Sequence, residues 1–221
     1  MKKGESNFIK RIKTVIPEEM EYSPIINNEK DRVKFIKRCE KIIRSSLEYR
    51  AYIDFLKEHV DMNRCAFFQN VSSEDTKRVK IEIHHEPFTL YDYVAVVVDK
   101  FQSEGLPLND LSISDEVMEL HYNNLVGLVP LSKTIHEIIH NSNKIVIPLN
   151  MVYGDYASFL ASSEYEPYVE ELYDKLESKI NATKNLTKES FDALSKQFTY
   201  IEMDGVPEVE KQDTKTSISV A

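Results

Sequence analysis

The chain predicts an α+β fold, a central β-hairpin packed by several α-helices, and three observations predict it. The stretch Ile81-Glu82-Ile83-His84-His85-Glu86-Pro87 alternates as a strand does and is stopped by a proline. From Asp31 to about Met62, Val33, Ile36, Cys39, Ile43, Leu47, Ile53, Leu56 and Val60 recur at three to four residues, the spacing of an amphipathic helix. The remaining segments are mostly helical in period, so helices outnumber strands and do not alternate with them as a parallel sheet requires. At 221 residues, with 42% hydrophobic and 29% charged, the chain suits one globular domain with appendages. We read an N-terminal arm over 1–30, a single α+β domain over 31–203 and a flexible, polar tail over 204–221.

Each element has its own signal. The long helix carries Ser45-Ser46, where it can break. Arg64 to Val71 and Arg78 to His85 are strand-like runs around the polar turn Ser72-Ser73-Glu74-Asp75, which predicts an antiparallel hairpin with the histidine pair at its exit. Thr89 and Asp92 form a capping box for a helix with Leu90, Val94, Val97, Val98 and Phe101 on its buried stripe, and Gly105 ends it. Ser112 or Ser114 opens a further helix through Val117, Met118, Leu120 and His121 to Asn123-Asn124. The run Leu128-Val129-Pro130-Leu131 can only be an edge or irregular strand, because Pro130 has no N–H to give a ladder. Ser132 then caps a helix with His136 and His140, a short strand is expected from Lys144 to Leu149, and helices follow at 156–162, 167–180 and 187–198.

Charge divides the chain. Residues 1–80 hold 18 Lys/Arg against 13 Asp/Glu, and residues 81–221 hold 10 against 24. A phosphate backbone needs nearby cations, so a nucleic acid would be gripped by the basic N-terminal third, with Lys34, Lys37, Arg38, Lys41 and Arg44 on one helix face. The acidic C-terminal half suits a protein partner instead. No apolar run reaches the roughly 18 residues of a membrane span and no signal-type segment opens the chain, so we expect a cytoplasmic protein with no membrane contact. Two cysteines, Cys39 and Cys65, offer neither a disulfide framework nor a cysteine metal cluster.

The chemistry concentrates in 81–140, which holds five of the six histidines. His136 and His140 are four apart, so a helix puts both imidazoles on one face, as two ligands of one ion require. With His84-His85 they could bind one divalent ion through three rings and leave a fourth ring free as a base. The bland alternative also stands: adjacent histidines on a strand point to opposite sides, one to solvent and one into the core.

Residues His84-His85-Glu86-Pro87, followed by Gly127-Leu128-Val129-Pro130-Leu131-Ser132-Lys133-Thr134-Ile135-His136-Glu137-Ile138-Ile139-His140, resemble the HNH, or ββα-metal, nucleases, especially the DNase-colicin form. The resemblance covers 79–141 and implies a ββα-metal-like element. It further implies His84, His136 and His140 as ligands of one divalent metal ion (Mg, Mn, Ni or Zn) and His85 as the general base against a phosphodiester. Gly127 stands where the family has the asparagine that orients the base, and the segment between the two blocks holds an extra helix. Three functions follow. The first is an HNH-like endonuclease in the cytoplasm, that of the host if the chain is phage-encoded. The second is an inactive HNH-like structural or interaction component, of a bacteriophage by family analogy. The third is a zincin protease on His136-Glu137-Ile138-Ile139-His140, with Glu137 as base and Asp155, Glu164 or Glu166 as third ligand.

Overall fold

The computed structural model describes residues 26–68, 71–74, 79–141 and 145–184. Within them seven α-helices surround a two-stranded antiparallel sheet, the α+β class the patterns predict. The arm up to residue 25, the expected helix at 187–198 and the tail lie outside the described residues.

The first long helix divides at Ser46 into α1 (Glu29–Ser45) and α2 (Leu47–His59). Ser46 is extended and works for both helices. Its N–H donates to the Ile43 carbonyl at the end of α1, and its hydroxyl accepts from the Tyr49 N–H at the start of α2. Then α3 (Leu90–Ser103) begins at Thr89 with both halves of the capping box formed, and Gly105 past its end takes φ 66°, which a residue without a Cβ adopts freely. Helix α4 (Asp110–Tyr122) is capped by Asn109 rather than by a serine, the Asn109 side chain accepting from the Ser112 N–H. The apolar faces of these four helices form the main core, with Ile36, Cys39, Leu56, Val94, Val97, Val98, Ile113 and Val117 almost wholly buried.

The sheet differs from the expected hairpin in its second partner. Strand β1 (Ile81–His85) pairs with β2 (Leu128–Ser132), in the register Ile83↔Pro130 and His85↔Leu128, across the insertion that holds α3 and α4. Among the described residues of the run 64–71 no strand forms. Arg64 and Ser72 meet in an isolated bridge, and the Ala66 N–H donates to the Pro130 carbonyl (2.8 Å) on the outer side of β2. Pro130 can accept there but not donate, which fits a strand without a full neighbour. A second isolated bridge, Leu128↔Tyr153, adds another short piece beside β2. Helix α5 (Lys133–Asn141) follows β2 directly, with Ser132 still in the strand, and packs on both strands.

The expected strand after α5 does not form among the described residues. Residues 145–148 are irregular, with Ile145 and Ile147 buried, and Leu149–Met151 is a 3-10 turn. Asp155 caps the short α6 (Tyr156–Leu160), and the helix expected at 167–180 is a 3-10 turn at Glu166–Tyr168 followed by α7 (Glu170–Lys184).

Candidate functional site

Alternation along β1 decides which side chain goes where. Ile83 and His85 face the helical core, whereas Glu82 and His84 face α5. Strand and helix together thereby bring His84, His136 and His140 into one group, with one ligand nitrogen from each lying within 4.8 Å of the others. The His136 and His140 Nε2 atoms are 3.0 Å apart, as their spacing of four on α5 predicts. His84 is nearly buried, His136 half-buried and His140 exposed, so the group sits at the surface end of the strand-helix junction.

The hydrogen bonds fix one tautomer. Glu82 can only accept, so His136 donates its Nδ1 proton to Glu82 Oε2 at 2.7 Å, which leaves its Nε2 facing His140 Nε2. Burial pushes the Glu82 carboxyl up, but the hydrogen bonds from Lys80 and His136 outweigh this and hold it below its ordinary value. Burial, then the neighbouring His136 ring, holds His140 below its ordinary value. Three imidazoles grouped within this distance suit a divalent ion: nitrogen ligands at about 2.05 Å on a tetrahedral centre are roughly 3.4 Å apart.

His85 is not brought to this group. It lies 4% exposed on the core side of β1, where its Nε2 is 3.1 Å from Nε2 of His121 and its ring stacks on Tyr49. The His121 Nδ1–H donates to the Val117 carbonyl at 2.7 Å, so His121 Nε2 must accept and His85 Nε2 must donate. Burial holds both rings below the ordinary imidazole value, His121 at about 4, so this is a neutral, satisfied core pair. The strand's period of two turns His85, expected as general base, to the side opposite His84, so it is not brought to the three-ring group. His121 was legible only as a member of the apolar stripe of α4.

Gly127 also has a structural reason. A Cβ placed there would lie 2.0 Å from the Glu86 carbonyl oxygen, while the Gly127 carbonyl accepts from Glu86 N–H and its own N–H donates to the Tyr93 hydroxyl. No asparagine fits between β1 and β2 at this point. The zincin arrangement is not formed either. Glu137 is exposed and pairs with Lys133 at 3.5 Å, Asp155 is spent on capping α6, Glu164 is paired with Lys100, and the third position beside His136 and His140 is taken by His84.

The basic face of α1 is partly neutralised, because Arg38 pairs with Asp110, Arg44 with Glu40 and Arg32 with Asp99. No helix among the described residues is long and apolar enough to cross a membrane.

Fold and site together define an α+β protein with a three-histidine group held between a strand and the helix that follows its partner. The model of the bacteriophage G278-like virion protein family matches residues 1–214, and the chain belongs to that family. No curated protein and no solved structure matches it.

Proposed function

We propose that this chain is a structural or protein-interaction component of a phage particle, in which His84, His136 and His140 hold one divalent metal ion that ties β1 to α5. The observation that carries this reading is the division of the histidines: three converge at the surface, while the ring that would activate water is a satisfied member of the core. The metal then acts as a cross-link and not as part of a hydrolytic centre. Such a link is valuable here because α5 is nine residues long, has a single buried side chain, Ile135, and carries little apolar area of its own. Membership in a virion protein family supports the same reading.

The endonuclease reading keeps one supporting observation, the exposure of His140, which leaves an ion at this group open to a substrate oxygen. It needs a base other than His85. One experiment separates the two. The full chain is melted with and without zinc, nickel, manganese or magnesium, and the same samples are incubated with plasmid DNA. We expect a metal-dependent rise in melting temperature, worth about 2.7 kcal/mol at a hundredfold excess over Kd, that is lost in His136→Ala, and no nicking. Metal-dependent nicking that disappears in His136→Ala would overturn the structural reading.

A further inference from the structure

One side of β1 and its flanks reads, at every second position, Lys80, Glu82, His84 and Glu86. The two glutamates each lie beside a histidine and a lysine, but they are held differently. Glu82 takes the His136 Nδ1–H on Oε2, and its Oε1 is held by Lys80 Nζ at 2.9 Å. Glu86 has Oε2 3.5 Å from His84 Nε2, an ion-pair distance without a hydrogen bond, and its Oε1 lies 2.6 Å from Lys179 Nζ of α7 but lacks a hydrogen-bond partner among the described residues. Glu86 is only 2% exposed, a costly place for a carboxylate unless it is held and used. His136 thus has Nδ1 committed to a lysine-anchored carboxylate and Nε2 turned to the three-ring group, and His84 has a second carboxylate within ion-pair reach.

Resting on the metal reading above, we propose that Glu82 and Glu86 are positioning residues of a centre for an ion of the zinc class. Glu82 fixes the tautomer and the angle of His136 by its hydrogen bond and makes the other nitrogen a stronger donor, and Glu86 sets a negative charge beside the His84 ring. The donor set selects the class of ion. Three imidazoles suit zinc or nickel, whereas magnesium and manganese take oxygen ligands by preference. Through Lys179 the arrangement also reaches α7, one element besides the strand and helix that carry the rings.

The test measures zinc affinity of the full chain by competition with a chromophoric chelator, for the wild type, Glu82→Gln and Glu86→Gln, beside thermal unfolding in EDTA. We expect zinc to be weakened about 10–100-fold in each variant, and magnesium in large excess to leave bound zinc in place. If the glutamates only form salt bridges, the variants will melt earlier in EDTA and bind zinc as the wild type does, and that result overturns the inference while leaving the metal reading intact. Displacement of zinc by magnesium would overturn the choice of ion. A wild type that binds no zinc would overturn the metal reading and this inference with it. Should Glu86→Gln fail to fold, Glu82→Gln at the half-exposed position decides.

Discussion

Acid should weaken this fold through His121, by an amount that follows from the ring's surroundings. The His121 ring is 1% exposed, gives its Nδ1 proton to the Val117 carbonyl and uses its Nε2 as the acceptor for His85, so no place remains for a second proton. Burial is the main cause that lowers it to about 4, with the Val117 hydrogen bond opposing and the Arg44 charge assisting. In the unfolded chain the same ring titrates near 6.5. Between these values the unfolded chain binds a proton that the folded chain refuses. The stability that His121 contributes is therefore complete above about pH 6.5, declines as the pH falls, and has no more to lose below about pH 4. At about 1.4 kcal/mol per pH unit the loss is about 2 kcal/mol at about pH 5 and about 3 kcal/mol at about pH 4. His85 is lowered for the same cause, burial first and His121 next, and works in the same direction. Urea denaturation from about pH 7 to about pH 5, on the wild type and on His121→Gln, isolates the effect, because glutamine still offers His85 an acceptor and cannot titrate. The wild type should lose about 2 kcal/mol more than the variant over that interval. Parallel stability curves would refute the assignment of a neutral, desolvated pair.

The backbone contact at Gly127 makes a second expectation sharp. Gly127→Asn, which restores the residue that the nuclease pattern has here, should not recover any cleavage and should destabilise the fold by at least about 3 kcal/mol, because the new Cβ meets a carbonyl oxygen and no flexible side chain can yield; a stable variant by urea titration would contradict this. Cys39 is fully buried and burial pushes its thiol up to about 12, so it should react with a disulfide reagent only as fast as the protein opens; immediate labelling of Cys39 in the folded wild type would count against the packing of α1.

Much of the helical layer was legible because it rests on local chemistry. The Thr89–Asp92 box, the break at Ser46 and the stop at Gly105 are each written within four residues, and all three form as read. The pairing of His136 with His140 on one face of α5 was legible from the helical period, whereas the choice of His84 over His85 as their neighbour came only from the resemblance, the strand period leaving open which ring faces the core. Partner choice in the sheet was not. The turn at 72–75 suggests that 64–71 lies against β1, yet β1 takes Leu128–Ser132, a choice made by packing of both strands on α5 and on the core that no turn residue encodes. The burial of His85 was illegible for a related reason. A resemblance can align two adjacent histidines with a pattern, but the side each faces depends on where the core lies, and here the buried His121 waits on the opposite side of the strand. Glu82 and Glu86 carried a readable signal, alternation with His84, that becomes meaningful only once α5 and α7 are known to cover that side.

The two adjacent histidines of β1 also make the strand intolerant of slippage. A shift by one residue would carry His84 into the apolar interior and turn His85 outward, and it would likewise exchange Glu82 and Ile83 between water and core. Each wrong register loses the His85–His121 hydrogen bond and the three-ring group in the same step. The pair therefore acts as a two-sided key for β1, so that an insertion or deletion inside Ile81–His85 costs the interior and the surface site at once, whereas length changes in the connection holding α3 and α4 leave the key intact.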